Sequence, residues 1–296
     1  MIRVLVLGRL GMLGQMVLRV LGSESALEVE GTHRSDPSDP LHLDASEGPA
    51  GLRKLLERRG RYDYLVNGIG LIKSRIEDGN AESVRQAVVV NALFPHALAD
   101  AAKGCGARVL HISTDCVYAG RAPAYDEAAP HDALDAYGKT KSLGEAAHPR
   151  ALTIRCSIVG PDPIGRRGLL EWFLAQPDGA PVPGYVDHRW NGVTTLQFAQ
   201  LCRRIILEDR FDTLRRESPI HHFCPNRAVS KCELLQLFAA AFQKRVTVVP
   251  TAGPEPVSRV LATRCRGLAQ LSARDLEMRT AVEALGEFMA SEPAPR

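Results

Sequence analysis

The sequence predicts an α/β fold, a doubly wound parallel sheet with a smaller C-terminal lobe, from three observations. A short apolar run over 2–7 leads straight into Gly8-Arg9-Leu10-Gly11-Met12-Leu13-Gly14 and then into a helical pattern. Strand-like runs then alternate with helical patterns as far as residue 160, and repeated strand–helix units build parallel sheets. Beyond that point Gly160-Pro161, Pro163, Pro177, Pro181, Pro183 and Gly184 break the chain into loops around one short helix. The expected division is therefore 1–160 for the sheet domain and 161–296 for the lobe, with the chain returning to the main sheet at about 191–225.

Taken in order, the first element is a strand whose glycine turn opens a helix. Glycines let the backbone approach an anion, and the helix behind them aims free N–H groups and a positive dipole end at it. Further strands are expected over 27–32, 64–67, 108–114 and 152–159. The clearest helical pattern spans 81–103, where Pro95 is expected to kink or divide the helix. In the lobe, 169–176 is the short helix, with longer ones over 196–208 and 230–243. The last opens on Ser230-Lys231-Cys232-Glu233, a capping box. The two-proline tail 291–296 is expected to be disordered.

Composition narrows the function classes. The 296 residues carry a net charge of +3, too small to argue for nucleic acid. The densest basic run, Arg53-Lys54 with Arg58, Arg59 and Arg61, has Leu52, Leu55 and Leu56 on its other side and reads as a solvated helix face. No apolar run reaches the ~18 residues of a membrane span, and the start reads as a strand rather than a signal peptide. Seven scattered cysteines without a C-x-x-C pair fit reduced thiols in a cytoplasmic protein. The histidines lack metal-ligand spacing, so no metal is expected; His221-His222, if on a strand, point to opposite faces.

The chemistry concentrates at Tyr137-Gly138-Lys139-Thr140-Lys141. Residues four apart on a helix share a face, so Tyr137 and Lys141 can enter one site. An ammonium near a phenol favours phenolate and lowers its pKa, which makes the tyrosine a usable general acid near neutral pH. Upstream, His111-Ile112-Ser113-Thr114-Asp115 ends a parallel strand. That sets hydroxyls at the C-terminal edge of the sheet, where ligands of open α/β folds bind.

These motifs, with Asn67-Gly68-Ile69-Gly70, Asn91, Asp115-Cys116-Val117-Tyr118 and Arg155-Cys156-Ser157, resemble the extended short-chain dehydrogenase/reductase superfamily and its Rossmann domain. Within it, residues 1 to about 250 look most like dTDP-4-dehydrorhamnose reductases and related sugar-nucleotide reductases. The resemblance implies reduction of the 4-keto group of a nucleotide-activated 6-deoxyhexose. Tyr137 would donate the proton, Lys141 would hold the nicotinamide ribose and tune the tyrosine, and Thr114 would hydrogen-bond the reacting oxygen. Gly8, Gly11, Met12, Leu13 and Gly14 would line the pyrophosphate. Asp44 and Ala45 match the position that holds the adenine, and Ile69 and Gly70 would pack along the cofactor. Asp115, Asn191 and Thr194 are carried over as substrate contacts. The implied partner is a nucleotide-sugar substrate, and the family admits a homodimer.

The cofactor is read from the second strand, which ends Gly31-Thr32-His33-Arg34, with Arg9 in the glycine turn. A 2′-phosphate wants a basic residue there and a ribose 2′-hydroxyl wants a carboxylate, so NADPH is expected; Asp36 leaves room for NADH. The dehydratase branch carries Thr-Asp-Glu where this chain has Thr114-Asp115-Cys116, and a 4-epimerase would want an acidic second-strand end. The alternatives that stay open are a reductase of a UDP-2-acetamido-2,6-dideoxy-4-keto-hexose and a non-catalytic dinucleotide-binding regulatory subunit. One departure stands out: the family's Arg-Thr-Ser-Trp reads Arg155-Cys156-Ser157-Ile158 here. That implies a reshaped sugar pocket, with Trp172 either a substrate contact beside Glu171 or part of a helix that merely buries Leu169, Leu170 and Phe173.

Overall fold

A computed structural model describes residues 1–162, 164–272 and 276–291; of the tail expected to be disordered, Ser291 ends a helix and 292–296 lie outside the described residues. The first strand, β1 (Ile2–Leu7), is buried without interruption from Val4 to Leu7. A strand buried on both faces belongs at the centre of a parallel sheet covered by helices. Its side chains divide accordingly: Val4 and Val6 join one apolar cluster with Leu13, Met16 and Val17 of α1 (Met12–Gly22). Leu5 and Leu7 join another with Leu52 and Leu55 from the helix after β2 (Leu27–Gly31), namely α2 (Ala50–Arg59).

The chain continues through β3 (Tyr64–Asn67), α3 (Ala81–Ala87), α4 (Phe94–Cys105), β4 (Arg108–Ser113), α5 (Ala136–Leu143), β5 (Ala151–Arg155), β6 (Ile158–Val159) and α6 (Leu169–Leu174). There follow β7 (Pro181–Tyr185), β8 (His188–Trp190), β9 (Val193–Thr194), α7 (Thr195–Leu207), α8 (Phe211–Glu217), β10 (Ile220–His222), β11 (Val229–Ser230) and α9 (Lys231–Ala241). The last elements are β12 (Thr247–Thr251), β13 (Val257–Arg259), α10 (Gly267–Leu271) and α11 (Met278–Ser291). The six-stranded sheet runs β10-β5-β4-β3-β1-β2, parallel throughout. The connection from β2 crosses β1 to reach β3, so the order reverses between β1 and β3. Ligand crevices of doubly wound sheets open at such a reversal. Small sheets β12-β7 and β11-β8-β13 build the lobe, and its Phe173, Val182, Trp190 and Phe238 share one apolar cluster with α1 and α7. No helix among the described residues is long and apolar enough to cross a membrane.

Two expected elements differ. The strand expected over 152–159 stops at Arg155; after Cys156-Ser157, β6 leaves the main sheet to pair with β9. The helix over 81–103 does not break at Pro95. It runs on through a π-helical turn, Val88–Leu93, with helical backbone at Val88, Leu93 and Phe94. A proline ring collides with the carbonyl four residues back, here that of Asn91, and the wider turn relieves the collision. The Asn91 carbonyl instead faces Gly144, where a Cβ would lie 1.9 Å away. That contact draws α5 against the π turn.

Candidate active site

Glycines form the floor of the crevice. Gly8 has φ +86°, a left-handed conformation that favours glycine. A Cβ on Gly14 would lie 2.1 Å from the Gly8 carbonyl oxygen, and one on Gly68 3.3 Å from that of Leu7. The turn is pinned by Gly8 N–H donating to Thr32 Oγ1 (3.0 Å) and Gly11 N–H to Gly8 O (3.0 Å). Gly11 is the N-cap of α1 and offers no side chain to its first N–H groups, which leaves an uncapped positive helix end beside Met12 and Leu13.

Around the crevice, Ile69 donates its N–H to Asn67 Oδ1 (3.1 Å) and lays its side chain against Gly8. Asn91 clamps the same loop: its Oδ1 accepts from Leu71 N–H (2.8 Å) and its Nδ2 donates to Leu71 O (3.0 Å), with Gly70 alongside. At the end of β2, Arg34 is exposed and Arg9 folds its stem over Gly31. The Asp36 carboxylate accepts from Ser38 N–H (2.9 Å) and Ser38 Oγ (2.7 Å). Asp44 caps the turn over Ala45–Glu47 through Ser46 N–H (2.9 Å) and leaves Oδ2 free of internal hydrogen bonds among the described residues. Burial would raise its pKa, but Ser46, Arg34 and His42 together hold it below the ordinary carboxylate value.

Thr114 stands at the end of β4 and caps the turn Asp115–Val117, its Oγ1 accepting from Cys116 N–H (3.1 Å) and donating to Asp115 Oδ1 (3.2 Å). A second close approach sets α5 against this turn. A Cβ on Gly138 would lie 2.3 Å from Cys116 O and 2.4 Å from Ala133 Cβ. Asp135 caps the helix through Gly138 N–H (2.8 Å). Gly138 thus lets α5 abut the turn after β4, and Gly144 lets its other end abut the π turn. Tyr137 and Lys141 thereby come to the C-terminal edge of the sheet, Tyr137 hydrogen-bonded with Thr114 and Lys141 with the Ile112 carbonyl.

Lys141 is buried and donates from Nζ to Ile112 O at 2.8 Å. Burial lowers its pKa to about 8, with Glu145 opposing the fall. Tyr137 is partly exposed, and its phenol stands above its ordinary value: burial raises it, as do Cys116 and Asp115, against a hydrogen bond with Thr114. This corrects the expectation that Lys141 lowers the tyrosine. The ammonium is engaged by the Ile112 carbonyl, and burial is the largest influence on the phenol.

Behind the edge lies a polar network that motif reading missed. Arg155, 1% exposed, forks onto Glu145 through Nε (2.8 Å) and NH2 (2.6 Å). Its other donors reach Tyr118 Oη, His222 Nε2 (2.7 Å) and His131 Nε2 (2.9 Å). Ser113 Oγ donates to the same Glu145 carboxylate at 2.5 Å. The one signal for Glu145 is its place four residues after Lys141, continuing the Tyr137–Lys141 stripe.

Asn191 and Thr194 do not present free side chains. Asn191 is buried, donates to Leu261 O and accepts from Leu261 N–H, both at 2.8 Å. Thr194, fully buried, closes the capping box of α7 with Gln197. Trp172 is 44% exposed on α6, whose Leu170 and Phe173 are buried, while Glu171 accepts from Asp162 N–H (2.7 Å). That segment is an amphipathic helix. No group of His, Cys, Asp or Glu among the described residues could hold a metal ion.

The profile of the RmlD substrate binding domain family matches residues 2–284. Among solved structures, a dTDP-4-dehydrorhamnose reductase from Clostridium acetobutylicum superposes with a TM-score of 0.76 at 20% identity, covering 98% of this chain and 100% of that one. One from Yersinia enterocolitica gives 0.76 at 18%, over 97% and 99%. One from Bacillus anthracis in complex with NADP gives 0.75 at 17%, over 97% and 98%. At these identities the likeness establishes the fold. No curated protein matches the sequence.

Proposed function

The chain belongs to the RmlD substrate binding domain family, and from that membership we propose that it is an NADPH-dependent reductase of the 4-keto group of a nucleotide-activated 6-deoxyhexose. The observation that carries the reading is Tyr137 and Lys141, one helical turn apart, brought beside Thr114 at the crevice edge. The crevice fits a dinucleotide. Gly8 takes the positive φ and Gly14 the close backbone approach that fold the turn tightly, and this leaves the uncapped N–H groups at the start of α1 open to a pyrophosphate beside Gly11. Met12 and Leu13 supply N–H groups there, Asp44 Oδ2 and Ala45 take the adenine end, and Ile69 and Gly70 line the cofactor's flank.

Bound NADPH supplies a hydride to the ketone carbon. The protein answers the negative charge that develops on oxygen. Tyr137 releases its proton to that oxygen, a contribution of ~10²–10⁴ in rate for a positioned acid. The Thr114 hydroxyl turns its hydrogen from Asp115 to the same oxygen, while its lone pair keeps accepting from Cys116 N–H. Lys141 holds the ribose hydroxyls and compensates the phenolate left behind, so it must be charged. Turnover should then fall as pH rises through about 8, visible as an alkaline limb in kcat/KM. A flat profile from pH 7 to 9 would remove Lys141's charge from the mechanism.

Two further substitutions test the site. Gly138→Ala forces α5 off the Cys116 carbonyl and should cost ~10²-fold in kcat, the penalty of an ångström-scale misplacement, in a protein that still binds NADPH. Arg34→Asp should move the preference toward NADH, because a carboxylate accepts from a 2′-hydroxyl and repels a 2′-phosphate. An unchanged ratio of the two KM values would shift that role to Arg9.

The substrate is tested with a panel of 4-keto-6-deoxy sugar nucleotides made in place by dehydratases, followed by NADPH absorbance. Oxidation with the dTDP-linked substrate supports the reading. Oxidation only with UDP-2-acetamido substrates keeps the mechanism and changes the sugar. Tight NADPH binding without oxidation would favour a regulatory subunit, against which the intact Tyr137, Lys141 and Thr114 weigh.

A further inference from the structure

Lys231 is the first residue of α9, directly after the N-cap Ser230. The pairing of β11 with β8, Val229 against Trp190 and Ser230 against Arg189, fixes where that helix begins. It places Lys231 Nζ 5.1 Å from the centre of the Trp190 ring. The ring is rigidly held: Trp190 is 3% exposed, and a Cβ on Gly192 would lie 2.1 Å from its Cζ2. Lys231 itself is only partly exposed.

An ammonium has three N–H donors and no acceptor. Among the described residues, those of Lys231 find no hydrogen-bond acceptor and no carboxylate within ion-pair distance; the aromatic face is the contact they make. The charges around it belong to the reacting edge and to the lobe. Burial lowers its pKa, with Asp115 and Cys116 opposing and Arg259 adding to the fall. Arg259, at the end of β13, is partly exposed and donates from Nε to Tyr118 O at 3.3 Å. Its other N–H groups make no hydrogen bond to the described residues. Arg259 of β13 pairs with Trp190 of β8, so two partly exposed cations from separate elements flank that residue, and the Tyr118 carbonyl is the one protein oxygen among the described residues that receives either of them. Two like charges held this close repel each other, and a ligand that brings anionic oxygens between them relieves that repulsion.

We propose that Lys231, with Arg259 beside it, is the subsite through which the lobe binds anionic oxygens of the substrate, either the diphosphate of a nucleotide sugar or a carboxylate on its ring. The proposal rests on the reading of this site as that of a sugar-nucleotide reductase. Lys231 acts on affinity and on the choice of substrate; the proton stays with Tyr137.

The test is calorimetric titration of the NADP⁺-saturated protein with dTDP, UDP, the nucleosides thymidine and uridine, UDP-glucose, UDP-glucuronate and inorganic pyrophosphate. Wild type is compared with Lys231→Gln, and Lys231→Arg serves as the charge-retaining control. If the diphosphate is read, dTDP and UDP should weaken at least ~10-fold in Lys231→Gln, the nucleosides should be unchanged, and Lys231→Arg should keep the affinity. If a carboxylate is read, UDP-glucuronate should bind wild type more tightly than UDP-glucose, and that preference alone should vanish. Equal affinities for every ligand in wild type and Lys231→Gln, with NADPH binding intact in both, would overturn the subsite. Lys231-dependent binding of pyrophosphate by a wild type that takes no nucleotide would keep the subsite and remove the nucleotide-sugar reading.

Discussion

Tyr137→Phe should lower kcat at least ~10²-fold and leave NADPH affinity nearly unchanged. The phenol stands above its ordinary pKa, with burial the main cause, so at neutral pH the side chain carries its proton and can deliver it. Phenylalanine keeps the ring and removes that proton together with the phenol's hydrogen bond to Thr114. The loss should therefore appear in the step that protonates the developing alkoxide, with the cofactor Kd as the internal control. Lys141→Ala should behave differently. It removes the cation that holds the ribose and balances the phenolate, so turnover and NADPH binding should weaken together. Near-normal turnover in purified Tyr137→Phe would sink the assignment, and another donor would be needed at the same edge.

The sequence made legible those features whose cause lies within a few residues of their effect. The strand, glycine turn and helix at the start are one local unit, and the Ser230 capping box closes with Glu233 three residues on. Tyr137 and Lys141 share a face because of helical spacing alone. The departures have causes distant in the chain. The break after Arg155 is made by β9, which pairs with Ile158 and Val159. Pro95 does not break its helix because the π turn before it moves the Asn91 carbonyl, and Gly144 of another segment leaves space for that carbonyl. The family resemblance implies Asn191 as a substrate contact, yet its partner is Leu261, 70 residues away. Of the two open readings of Trp172 the amphipathic helix is the one seen, since α6 buries Leu170 and Phe173 and leaves Trp172 44% exposed. Tyr137's proton affinity needed burial, which no spacing rule reports.

Glu145→Ala should destabilise the protein by ~3–5 kcal/mol, the cost of leaving a buried charge without its partner. Arg155 and Glu145 are 1% and 3% exposed at their side chains and share two hydrogen bonds. The histidines around Arg155 cannot take over the negative charge. His222 lies with Nδ1 2.7 Å from Ala262 O, which requires the proton on Nδ1 and leaves Nε2 to accept from Arg155. Burial and the Arg155 charge hold His222 down to about 4, so it stays neutral and acts as an acceptor only. The same depressed pKa fixes a pH dependence. Since the unfolded chain binds that proton more readily, stability should fall as pH drops from about 6.5 toward 4. Glu145→Ala also strips Ser113 Oγ of its acceptor, which loosens the strand end that carries Thr114. The double variant Glu145→Met with Arg155→Met removes both charges together and should recover part of the loss, because no buried charge is then left unpaired, although Ser113 Oγ and His222 Nε2 still lose their partners. Chemical denaturation of the three proteins measures this directly. A loss below ~1 kcal/mol for Glu145→Ala, or a double variant no better than the single one, would mean that the pair does not act as a buried unit.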